Sequence, residues 1–140
     1  MNKKKLNYRV TYLEMNRKPS FDWPKNLKHK LSILLAESFP SWYFLFFYKQ
    51  VGKNYYWTDW LRKSEDEIDE FVNDKNVLLY TLIKDGWPVG FYMLDYRKKD
   101  ICDLSFFGLV DEVIGIGLGK YLLQTAILTA WDSKKIKKLT

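Results

Sequence analysis

Three glycines alternate with apolar residues at positions 115, 117 and 119, and a lysine follows them where an amphipathic segment begins. Glycine removes the side chain where a ligand must approach the backbone closely. The first turn of a helix offers unpaired N–H groups and the positive end of the helix dipole. We therefore predict a binding site for a phosphate group in this segment. It consists of Gly115, Ile116, Gly117, Leu118, Gly119 and Lys120.

The spacing of these residues excludes two common nucleotide-binding loops. A P-loop needs a glycine five residues before the Gly-Lys pair and Ser or Thr after it, but Ile114 and Tyr121 stand at those positions. A dinucleotide-binding fingerprint needs a third glycine where Lys120 stands, and it needs a long β-α-β unit around it. Neither a P-loop NTPase nor a Rossmann domain is predicted.

The loop resembles the acyl-CoA loop of the GNAT superfamily of N-acyltransferases, which reads Gln/Arg-x-x-Gly-x-Gly/Ala. Gly117 and Gly119 occupy the two small positions, and Ile114 replaces the Gln or Arg. In that family, main-chain amides make most of the contacts to the pyrophosphate. The resemblance extends over about residues 8 to 138 and includes the segments Val10–Met15, Trp57–Asp59 and Val89–Phe91 in the family's order.

The resemblance implies acetyl-CoA as the co-substrate and a primary amine of a small molecule as the acceptor, joined by direct attack in a ternary complex. It also implies that the thioester lies along the fourth strand, where the cofactor-binding residues are Phe107, Gly108, Leu109 and Val110. Asp103 matches a position that often carries the catalytic base. By the two-residue period of a strand, it should share a face with Ser105 and Phe107. The alternative is a charge at a strand end that faces solvent.

An aromatic cluster at residues 55–60 provides a candidate acceptor site. On the family's layout it lies between the first two helices, so Tyr56, Trp57 and Asp59 are predicted to contact the amine. A packed aromatic lid without ligand contact explains the cluster equally well.

The local patterns predict strands at 8–15, 77–83, 89–96 and 101–110 and helices at 41–51, 64–73 and 120–133. Residues 31–36 are ambiguous between a strand and a helical turn. Asp85-Gly86 predicts a hairpin, and Ser64 with Glu67 forms a capping box. Together these elements predict one domain, residues 1–140, of α/β (α+β) class with a mainly antiparallel, GNAT-like mixed sheet flanked by helices.

The family continues with a fifth strand and further elements, so we expect an incomplete fold at the C-terminus. Two consequences follow as expectations. The chain is either an active transferase or a catalytically inactive acyl-CoA-binding or interaction module. The edge of the strand at 101–110 is expected to remain exposed and to form a homodimer by pairing with another strand.

Composition limits the other function classes. The net charge of +6 comes from 23 basic and 17 acidic residues, but seven lysines at the two ends account for the excess, so no nucleic-acid partner is predicted. The single histidine, His29, and the single cysteine, Cys102, argue against a metal site and thiol chemistry. Apolar runs are too short to span a bilayer, and no signal peptide is recognisable. A cytoplasmic protein with no membrane partner is expected.

Overall fold

The chain is described by a computed structural model that covers residues 5–26 and 28–140. Lys3 and Lys4, part of the basic end considered above, lie outside the described residues. The strands are β1 (Leu31–Ala36), β2 (Val77–Lys84), β3 (Trp87–Asp95), β4 (Ile101–Leu109) and β5 (Lys138–Leu139). The helices are α1 (Ser41–Gly52), α2 (Glu65–Val72) and α3 (Leu118–Ser133), and short 3-10 helices occupy Asp59–Arg62 and Asp111–Val113.

The sheet has the order β1-β2-β3-β4-β5. The first four strands pair antiparallel, whereas β5 pairs parallel to β4 after the crossover through α3. This arrangement confirms the predicted α/β class with a mixed, mainly antiparallel sheet.

Two local signals of the sequence form the predicted structures. Asp85 (φ 52°) and Gly86 (φ 88°) make the two-residue turn between β2 and β3, which requires positive φ at both positions. The Ser64 side chain accepts a hydrogen bond from the Glu67 backbone N–H at 3.2 Å and so caps α2.

Each face of the sheet carries its own hydrophobic cluster. The α3 face buries Tyr92 against Leu122 and neighbouring residues. The other face carries α1 and α2, where the rings of Phe47 and Phe91 stack with centroids 5.0 Å apart. The two clusters hold β4 in the sheet. They place the C-terminal end of α1 and the N-terminal end of α3 beside the C-terminal end of β4.

The predicted strand at residues 8–15 is wrong. Only Met15 makes a bridge, to Leu139, and residues 5–14 are irregular and largely exposed. The alternating pattern is real, but a strand forms only where a neighbour supplies hydrogen bonds, and in the described part of the chain none lies beside residues 8–14. The first strand of the sheet is instead Leu31–Ala36, the segment whose pattern was ambiguous.

Candidate active site

The glycine loop forms an open turn at the start of α3. Gly115 (φ 89°) and Gly117 (φ 86°) have left-handed conformations, and Gly117 is the N-cap of the helix. A Cβ atom built on either glycine meets nothing within 4 Å, so the space above this backbone is open. The first N–H groups of a 16-residue helix are therefore accessible to a ligand.

A cavity of about 400 Å³ adjoins this loop. The end of α1 and the loop after it form one wall, and the end of β4 forms the other. Gly108 makes this close approach possible, because a Cβ on it would lie 2.2 Å from Val51 Cγ1. The lining residues are Val51, Tyr55, Trp57, Phe107, Gly108, Leu109 and Ile114.

Among the residues that the structure describes, no strand pairs with the C-terminal half of β4 on the side of this cavity, so that edge is open. β5 pairs with β4 only at Ile101 and Cys102, and the Leu104 N–H then bonds to Thr140 O at 2.9 Å. On the other side, the Val110 N–H bonds to Val89 O at 2.9 Å. Because hydrogen bonds alternate along an antiparallel pair, the N–H groups of residues 107 and 109 point away from β3, toward the open edge.

A bulge in β4 determines which face Asp103 occupies. The register with β3 runs from Met93↔Phe106 to Leu94↔Leu104, so Ser105 is an extra residue. Leu104 and Phe107 both pack on the α3 face, whereas Phe106 packs on the α1 face. The prediction that Asp103 shares a face with Phe107 is therefore wrong. Asp103 lies on the α1 face with Phe106.

Asp103 is exposed, and both of its carboxylate oxygens accept hydrogen bonds from hydroxyl groups. Ser105 Oγ donates to Oδ2 at 2.9 Å, and Thr140 Oγ1 donates to Oδ1 at 2.8 Å. A second cavity, of about 570 Å³, opens in front of this carboxylate. It is lined by Glu14, Asp95, Arg97, Lys98, Ile101, Asp103, Lys138 and Thr140.

Two other carboxylates in this cavity are ion-paired. Arg97 contacts Asp95 through Nε at 3.0 Å and Nη2 at 2.8 Å, and Lys138 Nζ lies 3.1 Å from Glu14. Burial alone would raise the pKa of Asp95, but the hydrogen bonds from Arg97 outweigh it and lower that pKa. Within the described residues, no cationic side chain pairs with Asp103, so its charge can attract a cationic group.

The three predicted acceptor residues do not line one common cavity in the structure. Trp57 packs against Phe106, with ring centroids 6.1 Å apart, and lines the cavity beside the glycine loop. Tyr56 is 73% exposed, and Asp59 is an exposed residue at the start of a 3-10 helix. These two line neither cavity, and contact of the three residues with an acceptor stays a prediction.

Sequence patterns did not identify a polar contact between two segments that flank the lining residues of the first cavity. Asn54 Nδ2 donates to Asp111 Oδ2 at 2.6 Å, and Lys53 Nζ lies 3.6 Å from the same oxygen. The contact joins the loop after α1 to the segment after β4. Residues 57 positions apart leave no local signal of such a pair.

Cys102 is fully buried, and burial raises the pKa of its thiol to about 12. A neutral, enclosed thiol is a poor nucleophile, so Cys102 packs as a small residue of the core.

The amino-acid sequence matches no protein-family model, and no curated protein matches it. The structure, however, resembles solved acetyltransferases. A GNAT family acetyltransferase from Elizabethkingia anophelis, crystallised with acetyl-CoA bound, has a TM-score of 0.53 and 17% identity over 73% of this chain. An aminoglycoside acetyltransferase from an uncultured soil metagenomic sample, in complex with sisomicin, has a TM-score of 0.59 and 11% identity over 79% of this chain.

These similarities show that the chain has a GNAT-like fold. It spans 58% of the Elizabethkingia protein and 76% of the metagenomic one. The described helices include none that is long and apolar enough to cross a membrane.

Proposed function

We propose that this chain is an N-acyltransferase that moves an acetyl group from acetyl-CoA to a primary amine of a small molecule. The observation that carries the proposal is the continuous path formed by the glycine loop, the cavity beside it and the open edge of β4. Because Ser105 is an extra residue, Gly108 and Asp103 lie opposite Phe91 and Asp95, which are four residues apart on β3. At roughly 3.3 Å per residue, Gly108 and Asp103 are therefore about 13 Å apart along the sheet. That spacing suits an extended ligand with its phosphates at the loop and its reacting group near Asp103.

The backbone supplies the binding groups in this proposal. The N–H groups at the start of α3 hold the pyrophosphate, because they are accessible and carry the positive end of the helix dipole. The outward N–H groups of Phe107 and Leu109 bind the pantetheine arm by strand-like hydrogen bonds. Lys120 adds a positive charge in the first turn of the helix.

Asp103 is the proposed general base. A protonated amine enters the second cavity and gives a proton to the Asp103 carboxylate, and its lone pair attacks the thioester carbonyl carbon. The new C–N bond forms as the C–S bond breaks, and the sulfur leaves with the electron pair and takes up the proton that the nitrogen loses on becoming an amide. The acetyl group passes directly from the thioester sulfur to the amine nitrogen, so no acyl-enzyme intermediate forms.

Coenzyme binding is tested by thermal unfolding with coenzyme A. At about 100 times its dissociation constant, the ligand should stabilise the protein by roughly 2.7 kcal/mol, a shift of several degrees in Tm. Gly117→Glu should abolish this shift by placing an anion where the phosphates bind. Gly86→Glu is the matched control, because Gly86 also has positive φ and open space around it but lies in the distant β2–β3 turn.

The Gly86→Glu control should lose about as much stability without ligand as Gly117→Glu does, and it should keep the full shift in Tm with coenzyme A. Ile114→Arg, which restores the family's residue at an exposed position, should bind at least as tightly as the wild type. A wild type without any shift at millimolar coenzyme A would refute both the phosphate site and the transferase proposal.

Catalysis is tested separately by Asp103→Asn, with Glu112→Gln as the control at an exposed carboxylate outside both cavities. Asp103→Asn should lower turnover of acetyl-CoA and an amine about 100-fold or more and leave coenzyme binding unchanged. Coenzyme binding without release of free thiol, for a broad panel of amines, would instead favour a non-catalytic acyl-CoA-binding module.

A further inference from the structure

The opposite edge of the sheet is formed by β1, whose outer side is unpaired in the described part of the chain. The Asp85 N–H bonds to Lys30 O at 3.0 Å, and the register continues from there without a bulge. By the alternation of antiparallel hydrogen bonds, the backbone groups of residues 31, 33 and 35 point outward. The edge therefore offers three regularly spaced donor and acceptor pairs to another strand.

This edge lacks the features that normally prevent association. Its sequence, Leu-Ser-Ile-Leu-Leu-Ala, contains no charge and no proline, and its register with β2 is regular. Leu34 is 57% exposed and lies opposite Thr81, whose hydroxyl bonds to Tyr43 of α1 at 2.6 Å. Trp42, 67% exposed, contacts that same tyrosine ring. An apolar surface thus continues from the strand onto α1.

The charges at the two ends of β1 are complementary. Lys28, His29 and Lys30 precede the strand, and Glu37 follows it. If two copies of β1 pair antiparallel, the basic end of each lies beside the acidic end of the other. A symmetric pairing satisfies both ends at once, which favours a second copy of this chain over an unrelated partner.

We propose that this protein dimerises by antiparallel pairing of β1 with β1 of a second copy, about a two-fold axis normal to the sheet near Ile33. The outward groups of Leu31 then pair with those of Leu35 across the axis. Glu37 lies opposite His29, with Lys28 and Lys30 on either side of it. The two five-stranded sheets become one continuous sheet.

This interface differs from the β4 edge that the sequence suggested for a dimer. β1 lies three strands from β4, about 14 Å at roughly 4.8 Å per strand. The dimer therefore leaves the proposed coenzyme groove accessible, and its failure would say nothing about acyl transfer.

Light scattering and sedimentation over about 1–200 μM protein test the proposal, with circular dichroism as the check on folding. The wild type should be a dimer at the upper concentrations. Leu34→Lys should weaken dimerisation at least tenfold, since it places two like charges near the two-fold axis. Leu35→Pro should do the same, because it removes an outward N–H and no bond to β2. Leu123→Lys, at a 40% exposed position on α3, is the matched control and should dimerise normally.

Charge reversal provides an independent test of the antiparallel arrangement. Glu37→Lys alone should weaken the dimer, and the variant that also carries Lys28→Glu and Lys30→Glu should restore it. A monomeric wild type would overturn the proposal. A dimer that Leu34→Lys and Leu35→Pro leave intact, or that the compensating reversal fails to restore, would overturn it as well.

Discussion

The contact between Gly108 and Val51 closes one side of the proposed coenzyme cavity, and its energy can be measured. A Cβ atom on Gly108 would lie 2.2 Å from Val51 Cγ1, and Val51 is almost fully buried. Gly108→Ala must therefore displace the end of α1 from β4. Overpacking of this kind costs about 1–3 kcal/mol, and the reduced entropy of the unfolded chain returns about 0.4–1 kcal/mol. We expect a net loss of about 1–2 kcal/mol, or roughly 4–8 °C in Tm.

Val51→Ala is the second single variant of a double-mutant cycle with Gly108→Ala. By itself it removes two buried methyl groups and should cost about 2 kcal/mol. In the double variant, the methyl group of residue 108 occupies the space that Val51 vacates. The double variant should be no less stable than Val51→Ala alone, which corresponds to a coupling of about 1–2 kcal/mol between the two sites.

Urea unfolding of the four proteins measures this coupling, and Gly119→Ala is the control. A Cβ atom on Gly119 would meet its nearest neighbour, Leu109 Cδ1, at an ordinary 3.9 Å, so that substitution should be neutral or stabilising. Additive effects of Gly108→Ala and Val51→Ala, to within about 0.5 kcal/mol, would refute the contact as described.

Three further predictions concern other parts of the fold. Asp95→Asn should cost about 1 kcal/mol at pH 7. Because the pKa of Asp95 is lowered in the folded state, this difference should be present above the ordinary carboxyl pKa and be lost as pH falls through the lowered one; a difference that does not decrease on acidification would contradict it. Ser64→Ala should lose about 1 kcal/mol in chemical unfolding, whereas Ser64→Asp should keep the cap. Cys102 should resist a thiol reagent at pH 8 in the native protein and react in urea, and labelling of the native protein would show that it is accessible.

The parts of the fold that the sequence predicted depend on neighbouring residues in the chain. The Asp85-Gly86 turn and the Ser64 cap each need only a few consecutive residues of suitable type, and both formed as predicted. The segment at 8–15 has an equally clear pattern but needs a strand beside it. Leu31–Ala36, with an ambiguous pattern, has β2 as its partner and became a strand. Partner availability is a property of the tertiary structure, which a local pattern does not report.

The candidate site also has parts that depend on neighbouring residues in the chain and parts that depend on the tertiary structure. The glycine loop was recognisable because its residue types and spacing are adjacent in the chain. The wall formed by Val51 and Tyr55, and the contact from Asn54 to Asp111, join segments that are distant in sequence and meet only after α1 packs on the sheet.

The bulge at Ser105 connects the two halves of the proposed site. With strict two-residue alternation, Asp103 and Gly108 would face opposite sides of the sheet, because they are five positions apart, an odd number. The extra residue reverses the alternation between them, so both lie on the face that α1 covers. A ligand held at the glycine loop and extended along the β4 edge can therefore approach Asp103 without crossing the sheet. One inserted residue, which no sequence pattern predicted, thus places Asp103 on the same face of the sheet as Gly108.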